Sequence, residues 1–183
     1  MKVERTSERI FVTGVSFKTA PVEVRERLAG AITRLDATGL RQNGPTYIAE
    51  LVLLSTCNRL EFYGATRQPG EPVKELLGLL LPSARDCEAS VYTHQGVAAV
   101  RHLFAVASGL DSMVVGETEI AGQVKAAYES ARAAGLTGAL LNRLFQKALQ
   151  TAKAVRSQTS IGRGATSVAS VAVQMLEQIF DAP

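Results

Sequence analysis

The alternation of apolar and polar positions changes character near residue 95. Before it, short apolar runs rich in β-branched or aromatic residues predict strands at 10–16, 51–54, 60–65 and 90–93. The segments between them predict helices at 21–28, 31–42 and 73–81. Proline suits the first turn of the first helix, and glycine or proline follows the other two. Strands alternating with helices predict an α+β fold in which one sheet packs against a helical layer.

Beyond residue 95 the spacing of apolar residues is helical throughout. It predicts helices at 97–108, 120–134, 138–157 and 166–180. The helix at 138–157 has the longest apolar stripe, which consists of Leu141, Leu144, Phe145, Ala148, Ala152 and Val155. The chain therefore divides into an α+β part at 1–95, a helical part at 96–160 and a final helix at 161–183.

A polar tetrapeptide, Thr56-Cys57-Asn58-Arg59, separates the two strands at 51–54 and 60–65. A thiolate is a nucleophile, and a guanidinium two residues away favours the ionised thiol and can also hold a carboxylate or phosphate. We expect Cys57 at one end of the sheet. Taken alone, the tetrapeptide fits a buried, inert cysteine equally well.

The connection at 109–123 is richer in glycine and polar groups than a plain helix connection requires. Its donors and acceptors suit a small polar substrate, and they are Asp111, Ser112, Glu117, Glu119 and Gln123. Ordinary capping is an equally good interpretation, with Asp111 or Thr118 as a helix cap and Gly109 as a helix terminator. His102 lies beside the apolar stripe of a helix, where a structural role is the common one.

Composition excludes several classes of protein. A hydrophobic content of 46% and a charged content of 20% are typical of a folded globular protein. No apolar run reaches about eighteen residues and the first nine residues are charged, so neither a membrane span nor a signal peptide is predicted and a cytoplasmic location is the default. Cys57 and Cys87 make neither a disulfide scaffold nor a metal cluster, so we expect free thiols and no metal site.

The net charge of +3 is unevenly distributed. Residues 1–129 carry fourteen basic and fifteen acidic side chains, whereas residues 130–176 carry six basic ones and no acid. Four of the six lie on the helix at 138–157, opposite its apolar stripe: Arg143, Lys147, Lys153 and Arg156. Such a surface attracts polyanions, of which nucleic acid is the obvious one, although a solvated helix face is the common alternative.

Several motifs follow one another from about residue 12 to residue 180. They are Gly14-Val-Ser-Phe-Lys-Thr-Ala-Pro21 with Arg25-Glu26, Ser55-Thr-Cys-Asn-Arg59 with Glu61 and Tyr63, Ala99-Val-Arg-His-Leu-Phe104, Ala107-Ser-Gly-Leu-Asp-Ser112, Gly116-Glu117, Gly122-Gln-Val-Lys125, Val155-Arg156 and Ile161-Gly162. Together they resemble the glutamyl-tRNA reductases, which begin tetrapyrrole synthesis from glutamate. The resemblance implies a ferredoxin-like α+β catalytic domain followed by helices that lead into a Rossmann domain.

The resemblance also implies roles for individual residues. Cys57 matches the nucleophile, whose sulfur attacks the ester between glutamate and the 3′ end of its tRNA and forms a thioester that NADPH reduces to glutamate-1-semialdehyde. His102 matches a histidine that supports activity through proton transfer, and Arg59 suits a substrate carboxylate. The other implied substrate-binding residues are Thr56, Asn58, Ser112, Glu117, Thr118, Glu119 and Gln123.

Three features depart from the family pattern. Phe17 replaces the usual histidine, and Glu117-Thr118-Glu119 stands where the family has Glu-Pro-Gln, which adds a negative charge beside an acidic substrate. No Gly-x-Gly-x-x-Gly loop follows a strand, so we expect NADPH to bind a domain outside this sequence. An isolated N-terminal domain is a simpler interpretation than a naturally short protein. We expect it to form the thioester without reducing it, and to be a monomer although the full-length family protein is a homodimer.

Two other functions remain open. Phe17, Glu119 and the short length favour a truncated homologue that binds tRNA or a protein partner without catalysis, whereas Cys57, Arg59 and His102 together favour the enzyme. A general cysteine hydrolase is the third hypothesis. The basic helix at 138–157 suits either a tRNA contact or a docking surface for further domains.

Overall fold

The structure, a computed structural model, describes residues 9–32, 47–66, 76, 85–161 and 175–176. The elements with defined bounds are β1 (Arg9–Ser16), α1 (Val22–Ile32), β2 (Ile48–Ser55), β3 (Arg59–Thr66), β4 (Tyr92–Gln95), α2 (Val97–Ala107), α3 (Glu119–Ala133) and α4 (Ala139–Gln158). A 3-10 turn at Arg85–Ser90 precedes β4.

The strands in the described ranges form one antiparallel sheet in the order β2-β3-β1-β4. On β1, Val12 lies opposite Tyr63 of β3 on one side and His94 of β4 on the other. With α1 between the first two strands, this strand order is that of a ferredoxin-like α+β fold. The predicted fold class is confirmed.

Each face of the sheet has its own apolar core, because side chains alternate between the faces along a strand. Val12, Val52 and Tyr63 belong to the core that the sheet shares with α2, α3 and α4. Phe11 and Phe62 belong to the second core, which the sheet shares with α1. Because both faces are covered, β3 is buried along its whole length, including its polar residues.

Helices α2 and α3 end in the same way. Gly109 and Gly135 adopt left-handed backbone conformations with φ of 73° and 70°. The N–H of Leu110 returns to the C=O of Ala105 at 2.9 Å, and an equivalent bond closes α3. This is the Schellman arrangement that glycine favours, so the prediction that Gly109 ends a helix is confirmed. Thr118 precedes α3 but its side chain makes no capping hydrogen bond.

A side chain from the sheet caps the N-terminus of α4. The buried Glu50 carboxylate on β2 accepts hydrogen bonds from the backbone N–H groups of Gly138 at 2.8 Å, Leu140 at 3.1 Å and Leu141 at 2.7 Å. The first N–H groups of a helix have no partner within the helix, and the helix dipole favours a negative charge there. Glu50 therefore anchors the longest described helix to strand β2.

Several predicted bounds agree closely with the structure. The helices predicted at 97–108, 120–134 and 138–157 lie within one residue of α2, α3 and α4 at both ends. The strand predicted at 90–93 is displaced by two residues and becomes β4 at Tyr92–Gln95. The division of the chain at residues 95 and 160 stays a prediction.

The prediction that a separate helix starts at Ala31 is wrong, because α1 continues through Ile32. Leu28 and Ile32 are both buried and lie one helical turn apart, so packing on the sheet extends the helix past Gly30. The rest of that predicted helix lies outside the described residues, as do most of those at 73–81 and 166–180; within these, Leu76, Met175 and Leu176 are helical.

Candidate active site

Cys57 lies at the tip of the hairpin that joins β2 to β3, and its side chain is exposed. The Thr56 hydroxyl accepts hydrogen bonds from the N–H groups of Asn58 and Arg59, both at 3.1 Å. The Thr56 N–H also donates to the Arg59 C=O at 2.9 Å. These bonds fold the loop back on itself, as threonine side chains commonly do in turns. The loop therefore presents the thiol to solvent from a fixed backbone.

Arg25 on α1 holds this loop from outside the hairpin. Its guanidinium donates to the Cys57 C=O at 2.7 Å and to the Asn58 side-chain oxygen at 3.2 Å. The N–H of Phe17, in the turn before α1, donates to the Asn58 C=O at 2.8 Å. The Nε of Arg25 is buried and has no hydrogen-bond partner among the described residues. The nucleophile candidate is thus attached to α1 as well as to the sheet.

A buried carboxylate, Glu61, lies two residues after Arg59 on β3. Because residues i and i+2 of a strand share a face, Arg59, Glu61 and Tyr63 all point toward α2 and α3. The Glu61 carboxylate accepts hydrogen bonds from Arg59 at 2.7 Å and from the hydroxyls of Tyr63 and Tyr92. It also lies 2.9 Å from the Nε2 atom of His102 on α2. The side chain of Glu61 is completely buried.

The protonation state of Glu61 follows from these contacts. Burial alone opposes its ionisation, but the hydrogen bond with His102 and the positive charge of Arg59 outweigh burial and lower its pKa to about 2. Burial and the negative charge of Glu61 raise the pKa of Tyr63 and of Tyr92 above the ordinary tyrosine value. At neutral pH a buried carboxylate therefore stands among neutral phenols, a guanidinium and an imidazole.

His102 is oriented by Glu61 and by a group of aromatic rings. Its ring centroid lies 5.5 Å from that of Tyr92 and 5.2 Å from that of His94. A carboxylate that pairs with one imidazole nitrogen fixes the ring orientation and selects which nitrogen faces the reactants. Because Nε2 faces Glu61, Nδ1 is the ring nitrogen that this carboxylate leaves available for another hydrogen bond.

Asp111 joins the loop after α2 to the Cys57 hairpin. Its carboxylate forms ion pairs with Lys18 and, at 3.2 Å, with Arg59, whose guanidinium also donates to the Asp111 C=O. Burial opposes ionisation of Asp111, but the hydrogen bond from Lys18 and the charge of Arg59 outweigh it and lower the pKa below its ordinary value. Asp111 therefore serves as an ion-pair partner rather than as a helix cap.

The predicted site residues fall into two groups. Thr56, Cys57, Asn58 and Arg59 form the hairpin loop, and the other two members of the first group join it indirectly: His102 through Glu61, which pairs with Arg59, and Ser112 as the neighbour of Asp111 in the chain. Ser112 follows Asp111, and its Oγ is buried without a hydrogen-bond partner in the described ranges. Glu117 is half-buried, while Thr118, Glu119 and Gln123 are exposed on the first turns of α3 and the residue before it. No side-chain hydrogen bond within the described residues links this second group to the hairpin.

The sequence did not predict two roles: the buried network around Glu61 and the contact between Arg25 and the hairpin. Arg25, Glu61 and Tyr63 belong to the motifs that carry the family resemblance, but no role was predicted for any of them. The charged pair at i and i+2 on an otherwise apolar strand was the available signal for the Glu61 network, because a buried charge requires a partner. Nothing local indicated that Arg25 would contact the hairpin 32 residues later.

Comparison with known proteins agrees with this geometry. The family model described as glutamyl-tRNAGlu reductase, N-terminal domain, matches residues 13–159. The glutamyl-tRNA reductase of Akkermansia muciniphila is 46% identical over 175 residues, which cover 94% of this chain and 52% of that protein. The chain belongs to the glutamyl-tRNA reductase family.

Two further glutamyl-tRNA reductases illustrate the extent of the match. Glutamyl-tRNA reductase 2 of Anaeromyxobacter dehalogenans is 45% identical over 172 residues, covering 94% of this chain and 38% of that protein. The solved glutamyl-tRNA reductase from Methanopyrus kandleri matches with a TM-score of 0.70 at 34% identity, covering 92% of this chain and 39% of that one. The chain thus spans about half the length, or less, of these family members.

The described residues do not form the usual binding loop for a nicotinamide nucleotide. Their sheet is wholly antiparallel, and no glycine-rich turn leads from a parallel strand into a helix, which is the usual pyrophosphate site. Within the same ranges, no three His, Cys, Asp or Glu side chains are grouped to hold a metal ion. No helix of this described part is both long and apolar enough to cross a membrane.

Proposed function

We propose that this chain performs the acyl-transfer half-reaction of a glutamyl-tRNA reductase. The Cys57 sulfur attacks the carbonyl carbon of the ester that joins glutamate to its tRNA. A carbon–sulfur bond forms, the bond from that carbon to the ribose oxygen breaks, and the tRNA leaves with a free hydroxyl. The observation that carries the proposal is the exposed Cys57 thiol on a loop held by Thr56 and Arg25.

His102 is the proposed proton carrier of this step. The thiol must lose a proton, and the departing ribose oxygen must gain one. With Nε2 held by Glu61, the Nδ1 atom of His102 takes the first proton and returns it to the ribose oxygen. Glu61 stays ionised and stabilises the imidazolium that forms in between, in the manner of the buried carboxylate of a catalytic triad.

We propose that the glutamyl moiety is bound mainly by two side chains, with further contacts from other residues. Arg59 and the Ser112 hydroxyl bind the polar groups of the glutamyl moiety, since Arg59 pairs with Asp111 and the adjacent Ser112 Oγ is buried without a partner among the described residues. The remaining proposed contacts are Thr56, Asn58, Glu117, Thr118, Glu119 and Gln123.

The proposal extends to partners and location. Glutamyl-tRNA is the substrate, the cytoplasm is the location, and this chain is a monomer while full-length family members are homodimers. NADPH supplies the hydride that reduces the thioester in the family reaction. We assign no described residue to that cofactor, and we propose that 1–95 carries the nucleophile while 96–160 completes the pocket.

The decisive experiment detects the thioester directly. The protein is mixed briefly with glutamyl-tRNA, quenched in acid and analysed by intact mass spectrometry. We expect a glutamyl adduct that hydroxylamine removes, that is absent in Cys57→Ser and that persists in the matched control Cys87→Ser, because Cys87 is buried.

Two results would contradict the proposal. An adduct that survives in Cys57→Ser would assign the nucleophile elsewhere. Tight tRNA binding without any adduct would favour a non-catalytic homologue. Phe17 and Glu119, which depart from the family pattern, favour the same alternative.

A further inference from the structure

A groove with a positively charged rim runs between the start of α3 and the end of α4. Its volume is about 560 Å³. The floor is small and apolar and consists of Ala121, Gly122, Leu149 and Ala152. The rim is polar and consists of Lys125, Lys153, Arg156 and Ser157. None of the described residues that line it is acidic.

The charges of this groove are poorly neutralised. Lys125 lies 3.7 Å from Glu129, but both side chains are more than half exposed, so the pair is weak. Lys153 and Arg156 form no ion pair with the described residues, and the segment from 130 to 176 has no acidic residue. Three cations around one concave surface repel each other and raise the local concentration of anions.

The structure divides the basic residues of α4 between two surfaces. Lys153 and Arg156 line the groove, whereas Arg143 and Lys147 are exposed outside it. At about 100° per residue, the second pair lies roughly 130° around the helix from the first. The two pairs carry equal charge on one helix, so each is a control for the other.

The groove is connected along the chain to the loop that carries Asp111. Helix α3 starts directly after the loop that carries Asp111 and Ser112. Beyond α4 the chain returns to the same loop, where a Cβ on Gly116 would lie 1.8 Å from the carbonyl oxygen of Ile161. Both ends of the groove therefore connect directly to the loop whose Asp111 contacts Arg59.

We propose that this groove binds the phosphodiester backbone of the substrate tRNA, an inference that rests on the proposed function. An arginine and two lysines supply the charge-assisted donors that phosphates require. Among the described residues, the floor carries no aromatic ring for stacking and only small or single aliphatic side chains, which do not form a pocket for an anchoring side chain. The recognition is consequently of backbone charge rather than of base sequence.

The first test compares two charge reversals of equal size. Lys153→Glu/Arg156→Glu alters the groove, and Arg143→Glu/Lys147→Glu alters the other surface of α4. Binding of uncharged tRNA is measured across a range of salt concentrations. We expect the groove variant to bind at least about tenfold more weakly, with the slope of log K against log salt reduced by about 1 to 2, and the other variant to change less than about threefold. Equal losses in both variants would overturn the proposal.

The second test fills the groove without changing any charge. A Cβ on Gly122 would meet no atom within 4 Å, so Gly122→Leu places a side chain in the groove without a backbone clash. Gly30→Leu on α1 is the matched control, since Gly30 is also helical and unobstructed. Leucine favours a helix more than glycine does, so both variants should fold. Of the two variants, we expect only Gly122→Leu to weaken tRNA binding, by about tenfold. Wild-type affinity in Gly122→Leu would refute the proposal that tRNA binds in the groove.

These outcomes separate the groove from the acyl-transfer proposal. If wild type forms the Cys57 thioester and the groove variants bind tRNA normally, only the groove proposal fails. If wild type binds tRNA through the groove but forms no thioester, the acyl-transfer proposal fails and the groove assignment stands.

Discussion

Replacing Glu61 with glutamine tests whether the buried network is held by charge. Glu61→Gln keeps the shape and one acceptor oxygen of the side chain but removes its negative charge. Arg59 then has only Asp111 as an ionic partner, and His102 loses the carboxylate that orients it. The change therefore alters charge and one hydrogen-bond acceptor while it keeps the packing.

The expected magnitude follows from the pKa of Glu61. A decrease from 4.5 in an unperturbed glutamate to about 2 in the fold corresponds to about 3 kcal/mol of stability at neutral pH. Breaking a buried ion pair by removing one partner typically costs about 3 to 5 kcal/mol. Because Asp111 still accompanies Arg59, we expect the lower value, about 3 kcal/mol.

The dependence on pH gives the prediction its sign. The folded pKa is depressed, so the stabilisation by Glu61 is fully present above about pH 4.5 and is lost as pH falls toward about 2. Urea unfolding of wild type and Glu61→Gln between pH 7 and pH 3 measures the difference. We expect a gap of about 3 kcal/mol at pH 7 that falls by roughly half or more by pH 3.

Glu129→Gln is the control for this series. Glu129 is an exposed glutamate 3.7 Å from Lys125, and its replacement should cost less than about 1 kcal/mol at any pH. A Glu61→Gln gap below about 1 kcal/mol at pH 7, or one that stays constant down to pH 3, would show that the carboxylate is not ionised and paired as described.

Three further changes test other contacts. Arg25→Met should slow thioester formation at Cys57 by about tenfold in single-turnover mass spectrometry, because the loop loses its donor from α1; Arg27→Met, on the same helix, should leave the rate unchanged. Glu50→Ala should lower the free energy of unfolding by about 2 to 3 kcal/mol in urea, since three N–H groups at the start of α4 lose their acceptor; a loss under 1 kcal/mol would contradict the cap. Gly14→Ala should cost more than about 2 kcal/mol by thermal unfolding, because its Cβ would lie 2.0 Å from a carbonyl oxygen of β3; unchanged stability would mean that the strands separate freely there.

Local signals account for what the sequence predicted well. The ends of α2 and α3 follow from apolar stripes that stop at Gly109 and Gly135, which then adopt the left-handed conformation. The position of Cys57 at a sheet end follows from four aliphatic residues that give way to a polar run. Each of these features depends on residues within one or two turns of chain.

Contacts between distant residues could not be predicted in the same way. Arg59 was expected to face a substrate carboxylate, and the structure encloses its guanidinium between Glu61 and Asp111, which is 52 residues away. Glu50 meets Gly138 across 88 residues. Periodicity along the chain carries no information about which distant backbone groups need a partner, so only the assembled fold reveals these roles.

The pairing of Asp111 with Arg59 has a consequence for any ligand that carries a carboxylate. Asp111 already acts as an internal surrogate for such a group, so a ligand that reaches Arg59 must displace it. Because Lys18 binds the other oxygen of Asp111, the displaced carboxylate can stay tethered while it releases the guanidinium. Binding there exchanges one anion for another. Selectivity therefore depends on how well the ligand competes with the Asp111 carboxylate, and not on attraction to an unpaired guanidinium.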